Sequence, residues 1–409
     1  MSRPSKLGAI CFEPESAWGE DVTTFATRLQ TIGAIDASGL TQDKLNPDRT
    51  VQLRNEITPG VNGVIGGEFR TKFMLTGHGS TTNTTISLSA LETLLGKVFG
   101  NVAAAFTAAN TTLAGAGSAS APTTTAANGA VAGSLVRIGA ITESRGKGQA
   151  YGVVSHSASV LTLINAMAGT GSNGDIVYNP ANIFPSESPT GTDMVGQRFL
   201  LQTANLSFEC HGCYPKSVTF SGLGPAGEPA VEITWGVSWW RYSTATFPSA
   251  VSVQTFAHAP VAAGSVFMNA FGTATRVVRD VRSLSVTYAL GIVEQRGPGG
   301  VNQYQVVIGC KRTQDVITLE WTEEADAQTA TPDLAGKWDT NNPLTVVITL
   351  SAADGTSVMF MFRYCVPDGP KPTQMDDSNL NRIRWRMRAG ADNTKSTDRE
   401  RAAMVMALG

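Results

Sequence analysis

Cys210-His211-Gly212-Cys213 is the stretch whose residue types invite chemistry. Two thiols two residues apart, with an imidazole between them, suit a redox pair or one half of a zinc site. A structural zinc site needs four ligands, so a second cluster must follow at suitable spacing. The other cysteines, Cys11, Cys310 and Cys365, stand alone, and the remaining histidines are His78, His156 and His258. A redox Cys-x-x-Cys opens a helix in a βαβ unit, whereas this one falls at a strand-turn boundary. It therefore reads as two small residues where a hairpin begins. Asp376-Asp377 and Glu323-Glu324 are carboxylate pairs in or near loops and read as solvated charge. No Gly-x-Ser-x-Gly, His-Glu-x-x-His or Walker sequence occurs, and the glycine-rich stretch from Gly291 to Gly300 lacks the lysine ending and following helix of a phosphate cradle. The expectation is no catalytic residue, no metal ligand and no cofactor, and a protein that is not an enzyme.

The second chemical feature is Arg382-Ile383-Arg384-Trp385-Arg386-Met387-Arg388. On a strand, four arginines point one way and Ile, Trp and Met the other. Three readings stand side by side: a basic strip touching DNA, a strip pairing with acidic residues of a neighbouring subunit, and a solvated outer face. The formal net charge of −2 disfavours tight phosphate binding by the chain as a whole.

Both features must be held by sheet. In Glu228 to Tyr242, Val231, Ile233, Trp235 and Val237 share one parity and Glu232, Thr234 and Ser238 the other, which predicts a long strand with one buried face. Lys216 to Phe220 is β-branched and aromatic. Gly222, Gly224, Pro225 and Gly227 between them predict a hairpin with a wide connection. One helix is well marked: Ser87 or Ser89 as N-cap, Leu88, Leu91, Leu94, Leu95 and Val98 at helical spacing, and Gly100 at its end. Such a stripe predicts a helix lying on a sheet.

The 409 residues suffice for two or three domains. Charged residues make 16% and glycine is frequent at 42 copies, which fits an all-β protein largely covered by other subunits. The odd, scattered cysteines imply no disulfide framework. The first twenty-one residues hold no apolar run of signal-peptide length, and nowhere do eighteen consecutive apolar residues occur. Synthesis in the cytoplasm, without a cleaved signal or membrane segment, is expected.

In chain order, residues 1–20 read as an extended arm with Phe12 and Trp18 as its buried anchors, on a neighbour or through one local contact of a frayed tail. Strands are expected around Thr27 to Ile35, Arg49 to Glu56 and Gly66 to Gly77. Residues 101–133, nearly all Ala, Thr, Gly and Ser, read as a linker or exposed loop. Leu135 to Ile138, Tyr151 to Val154, Val160 to Ile164 and Asp175 to Tyr178 form a small inserted β unit. Ser243 to Gly264 reads as a second linker. Arg282 to Leu290, Tyr304 to Gly309, Val316 to Trp321, Leu344 to Leu350, Val358 to Val366 and Leu380 to Arg388 read as strands. The domain expectation is 1–100 with 195–250 as one unit, 101–194 as loop and insert, and 251–409 as a second unit. A weak echo links EFRTKFMLTG to DVITLEWTEE and VEITWGVSWWRY to NLNRIRWRMRAG. Its identity is low, and duplication of one sheet motif is one reading of it.

The order of these parts resembles tail tube proteins of long-tailed, siphovirus-like bacteriophages. The likeness rests on the PESAWGED arm, the LTGHG step, the LETLLGKVFGN helix, the insert from GSLVRIGAITES to DIVYNP, the RFLLQTANLSFECHGCYPKSVTF–WGVSWWRY hairpin and VRSLSVTYALGI. It implies a mainly β, tail-tube-type sandwich or barrel with a flanking helix. It also implies rings, hexameric or trimeric with pseudo-sixfold symmetry, stacked into a hollow tube that conducts viral DNA during ejection. Implied partners are further copies of the chain, the tape measure, terminator and tail tip proteins, and DNA in transient contact; the implied location is the virion, after assembly in the host cytoplasm. Length, the 101–133 segment and the insert depart from simple tube proteins and leave ring number open. The alternatives are a head-tail connector, head decoration or baseplate protein and, from another class, a carbohydrate-binding or hydrolytic β-protein.

Overall fold

The computed structural model describes residues 9–20, 25, 27–45, 61–75, 88–102, 111–126, 129–139, 148–186, 192–202, 207–224, 227–243, 261–275, 277–279, 281–297, 306–324, 342–352, 357–368 and 382–409. The chain is mainly β, with a large strand network, a closed six-stranded barrel and a three-stranded sheet. The readings of Arg49 to Glu56, His78, His258 and Asp376-Asp377 lie outside the described residues.

The centre of the network is the fifteen-residue strand Ser207–Ser221. It bends at Gly212, where φ is +58°. Before the bend it pairs with Gln197–Gln202 and Trp239–Ser243; beyond it, with Ala230–Val237 and Val281–Ala289. The wide hairpin connection is present: a Cβ at Gly222 would sit 2.1 Å from the Glu228 carbonyl oxygen, so the close approach of backbone there needs glycine. The alternation in Ala230–Val237 holds for Val231, Ile233 and Trp235, which are buried, against half-buried Glu232 and Thr234. It fails at Ser238, which is also buried because its hydroxyl donates to the Val307 carbonyl.

The helix is Ala90–Phe99, and Ser89 is its N-cap. The Ser89 hydroxyl accepts from Glu92 N at 3.1 Å, and the Glu92 carboxylate accepts from Ser89 N at 2.7 Å, so two orphan donors are satisfied reciprocally. Gly100 closes it at φ +96°. Leu91, Leu94, Leu95, Val98 and Phe99 join the main core. Phe99 stacks on Phe220 at 6.3 Å and meets Tyr288 edge-on at 5.1 Å, which lays the helix on the sheet where Ser207–Ser221 and Val281–Ala289 join.

Several expectations change. Residues 101–133 are not wholly a linker: Thr111–Ser118 and Ala121–Thr124 are strands of the barrel. Its ring runs Val160–Leu163, Ala121–Thr124, Thr111–Ser118, Ile176–Tyr178, Leu135–Gly139, Gln149–Ser157. Leu113, Val136, Ile138, Tyr151, Val153 and Leu163 fill it. The barrel packs on Leu344–Ala352 and Ser357–Pro367: Leu135 and Ala150 meet Val347, Met359 and Met361, and Ala150 N donates to Thr349 Oγ1 at 2.9 Å. The N-terminal stretch is no loose arm, since Ala9–Pro14 is a strand between Gln197–Gln202 and Thr27–Gln30 with Phe12 buried in its own chain. The strand expected to continue to Ile35 stops at Gln30, and another, Asp36–Leu45, follows. The second linker gives way to strand at Val261–Ala270, which pairs with Leu344–Ala352. The chain also ends in a short helix, Asp398–Arg401, and a buried strand, Val405–Leu408, that the sequence reading did not foresee.

Candidate functional site

The same pairing order occurs twice. Asp36–Leu45 pairs with Val61–Met74, that strand with Ala230–Val237, and that with Ser207–Ser221. Val281–Ala289 pairs with Val316–Glu324, that with Arg382–Gly390, and that with Ser357–Pro367. In each set the fourth strand precedes the third in the chain, as a hairpin. Each set puts an aromatic residue opposite a tryptophan: Phe69 opposite Trp235, and Trp321 opposite Trp385. The pairing of Ser207–Ser221 with Val281–Ala289 joins the last strand of the first set to the first strand of the second. Among the described residues, Asp36–Leu45 pairs with a strand on one side only.

The register sorts this sheet into two faces. One row crosses six strands as Phe73, Val231, Phe220, Val286, Leu319 and Met387, all at most 1% exposed. The adjacent row, one residue along, is Lys72, Glu232, Thr219, Thr287, Thr318 and Arg388. Side chains one residue apart point to opposite faces, so the sheet is apolar toward the helix and polar on its other side. Lys72, Thr287 and Arg388 of this row are exposed, Glu232 and Thr219 are half-buried and Thr318 is buried, and no apolar side chain in the row gains from being covered. The next row on this face runs Arg70, Thr234, Ser217, Ala289 and Val316, polar at one end and apolar at the other.

The arginine strip lies on this polar face. Arg384, Arg386 and Arg388 are exposed, while Met387 is buried. The arginines find acidic partners in their own chain. Arg384 pairs with Glu320, Arg386 Nε lies 3.7 Å from Glu320 and 3.4 Å from Asp368, and Arg388 Nε donates to Asp368 at 3.0 Å. The side chains of Arg382, Glu323 and Glu324 are outside the described residues.

Cys210-His211-Gly212-Cys213 sits in the middle of a strand, at its bend, and does not begin a hairpin. Both thiols are free and buried, and burial together with the neighbouring Cys210 pushes the Cys213 thiol well up, so Cys213 does not resemble a reactive thiolate. The bend receives the N-terminal segment. The Glu15 carboxylate accepts from Gly212 N and from Gly19 N, both at 2.8 Å. His211 Nδ1 donates to the Glu20 carbonyl at 2.7 Å and the ring stacks on Trp239 at 4.0 Å. Trp18 Nε1 donates to the Val307 carbonyl at 2.7 Å. Glu209, beside His211, takes Arg241 Nε at 2.6 Å and Ser243 Oγ at 2.5 Å. Burial pushes the Glu15 carboxyl up to about 7, against the opposing pull of the two N–H donors and Arg198. Glu15 and His211 are 3.9 Å apart and closed to solvent, so the group acts as a clasp that fixes the segment over the bend. The sequence reading missed Glu15, since nothing in its neighbours announces a partner 197 residues away.

Among the described residues no group of three or more His, Cys, Asp and Glu could hold a metal ion. His156 instead shares a hydrogen bond of 3.1 Å with Thr124 inside the barrel unit. A cavity of about 120 Å³ behind the bend is lined by Tyr214, Lys216, Glu68, Glu294 and Arg296. Its charges serve one another: Lys216 Nζ lies 2.7 Å from Glu68 and 3.5 Å from Glu294, and Arg296 Nη2 lies 2.7 Å from Glu294. No helix among the described residues is long and apolar enough to cross a membrane. No protein-family model matches the chain, and no curated protein matches it.

Proposed function

We propose that the chain is a structural subunit of a bacteriophage tail tube, assembling with further copies of itself into stacked rings whose bore conducts DNA. The observation that carries this reading is the tandem pair of four-stranded sets with one polar face. Within the chain, the last strand of the first set already pairs with the first strand of the second. The same step between copies joins the end of Ser357–Pro367 beyond Cys365, where its pairing with Leu344–Ala352 stops, to the Asp36–Leu45 edge of the next. That contact is heterologous, so it closes into a ring when the rotation per copy divides a full turn. Closure also removes the unpaired edge, which is otherwise an aggregation hazard. Three copies supply six sets, hence a ring of threefold symmetry that is pseudo-sixfold. The row Lys72, Glu232, Thr219, Thr287, Thr318 and Arg388 then lines the bore with three threonines, two cations and one carboxylate, and the helix and barrel lie outside.

Negative-stain electron microscopy of the purified full-length chain tests this reading. Rings and hollow tubes are expected. Monodisperse monomers under all conditions, with no ring or tube in particles that contain the chain, would sink it. Single rings that never stack would point to a connector or baseplate role.

A further inference from the structure

Three exposed guanidiniums, Arg384, Arg386 and Arg388, stand in one column at intervals of roughly 6.7 Å. Guanidinium is the side-chain group that best fits phosphate, through paired N–H donors. A bare column of three would therefore hold a phosphate chain. It is not bare. Glu320, directly opposite Arg386 on the neighbouring strand, pairs with Arg384 and sits 3.7 Å from Arg386. Asp368, one residue past Ser357–Pro367, sits 3.4 Å from Arg386 and 3.0 Å from Arg388. Exposed ion pairs of this kind contribute little to stability, so folding alone does not require them. Among the described side chains beside the column, Ser283 and Thr322 share a hydrogen bond of 2.7 Å, and Thr287 and Thr318 face each other.

We propose that Glu320 and Asp368 are built-in counter-ions that keep this arginine column from capturing a nucleic-acid backbone, and that removing both uncovers a polyanion-binding strip. Three cations that each neutralise a phosphate release bound counterions, giving a slope of about −2.7 in log affinity against log salt. With both carboxylates in place the column carries a net charge of one, and the slope falls to about −1 or less. In a DNA conduit the masking would let the duplex pass without being held. That use rests on the function proposed above, whereas the masking is a property of the isolated chain.

The test is fluorescence anisotropy with a 30-base-pair duplex, on the full-length chain, at 50 and 200 mM NaCl. Three proteins are compared: the wild type, the double variant Glu320→Gln with Asp368→Asn, and that variant with Arg384→Gln, Arg386→Gln and Arg388→Gln added. The double variant is expected to bind more tightly than the wild type, and to lose about 40-fold in affinity between the two salt concentrations. The added arginine changes are expected to abolish that gain. A double variant no tighter than the wild type, or a gain that survives loss of the three arginines, overturns the proposal. If circular dichroism shows the double variant misfolded, Asp368→Asn alone carries the comparison; a partial gain supports the masking and its absence overturns it. A wild type that forms no rings while the double variant gains DNA binding removes the conduit reading and leaves the masking intact.

Discussion

Glu15 makes the fold sensitive to pH in a direction opposite to that of most carboxylates. Its side chain is buried under the N-terminal segment, facing Arg198, His211, Glu20 and the Cys213 thiol. Burial raises its carboxyl from the ordinary 4.5 to about 7 in the folded chain. The folded state therefore holds the proton more tightly than the unfolded state. Its contribution to stability is fully present below about pH 4.5 and is lost as pH rises through about 7. The size is on the order of 3 kcal/mol. For a cooperative unit of this chain length that shifts the melting temperature by about 3–4 °C. Glu15→Gln stays neutral throughout. It leaves one of the two backbone donors, Gly19 N or Gly212 N, poorly matched, which costs about 1–3 kcal/mol at every pH. The assay is the difference in melting temperature between wild type and Glu15→Gln, followed by tryptophan fluorescence at steps from pH 4.5 to 8.5. The wild type is expected to lose ground to the variant across that window. Parallel profiles for the two proteins would refute the reasoning, because they would mean that Glu15 titrates alike in both states.

Other outcomes follow from the same packing. Gly212→Ala forces a side chain into φ +58° with its Cβ 2.5 Å from Ser238 Cβ and 2.9 Å from Trp18 Nε1, so it should lower the melting temperature and free the Trp18 fluorescence; unchanged spectra would contradict the clasp. Trp235→Ala empties a site at 0% exposure between Phe69 and Phe199 and should cost about 3–5 kcal/mol, read by chemical denaturation. Ser89→Ala removes one half of the capping box and should cost about 1 kcal/mol, seen as faster hydrogen exchange in the first turn of Ala90–Phe99. Cys210 and Cys213 should resist a thiol reagent until denaturant is added; rapid labelling of the native chain would show the bend to be open.

The sequence announced those elements whose own side chains carry the signal. The helix was legible because five apolar residues recur at its period and Ser89 caps it. Ala230–Val237 was legible because Val231, Ile233 and Trp235 alternate with polar residues. Thr111–Ser118 and Ala121–Thr124 were not, since their Ala, Thr and Gly residues have no pattern of their own; only Thr111 and Leu113 of the first are buried, and the strands are held by partners such as Ile176–Tyr178 and Val160–Leu163. The arginine column was visible, but its counter-ions were not, because Glu320 is 64 residues away in sequence and Asp368 lies beyond a hairpin. The echo between EFRTKFMLTG and DVITLEWTEE falls on Val61–Met74 and Val316–Glu324, the second strands of the two sets. The same echo sets RLQTIGAIDASGL against VRSLSVTYALGIV, which overlap the first strands, Asp36–Leu45 and Val281–Ala289, but the bounds of Asp36–Leu45 emerge only from its pairing.

The most direct test of the account is a cryo-electron-microscopy reconstruction of the assembled protein. It is expected to show a hollow tube of stacked threefold rings, with six four-stranded sets per ring and the Lys72-to-Arg388 polar row facing the bore. A reconstruction with no closed ring, or with that row facing outward and the helix inward, would contradict it.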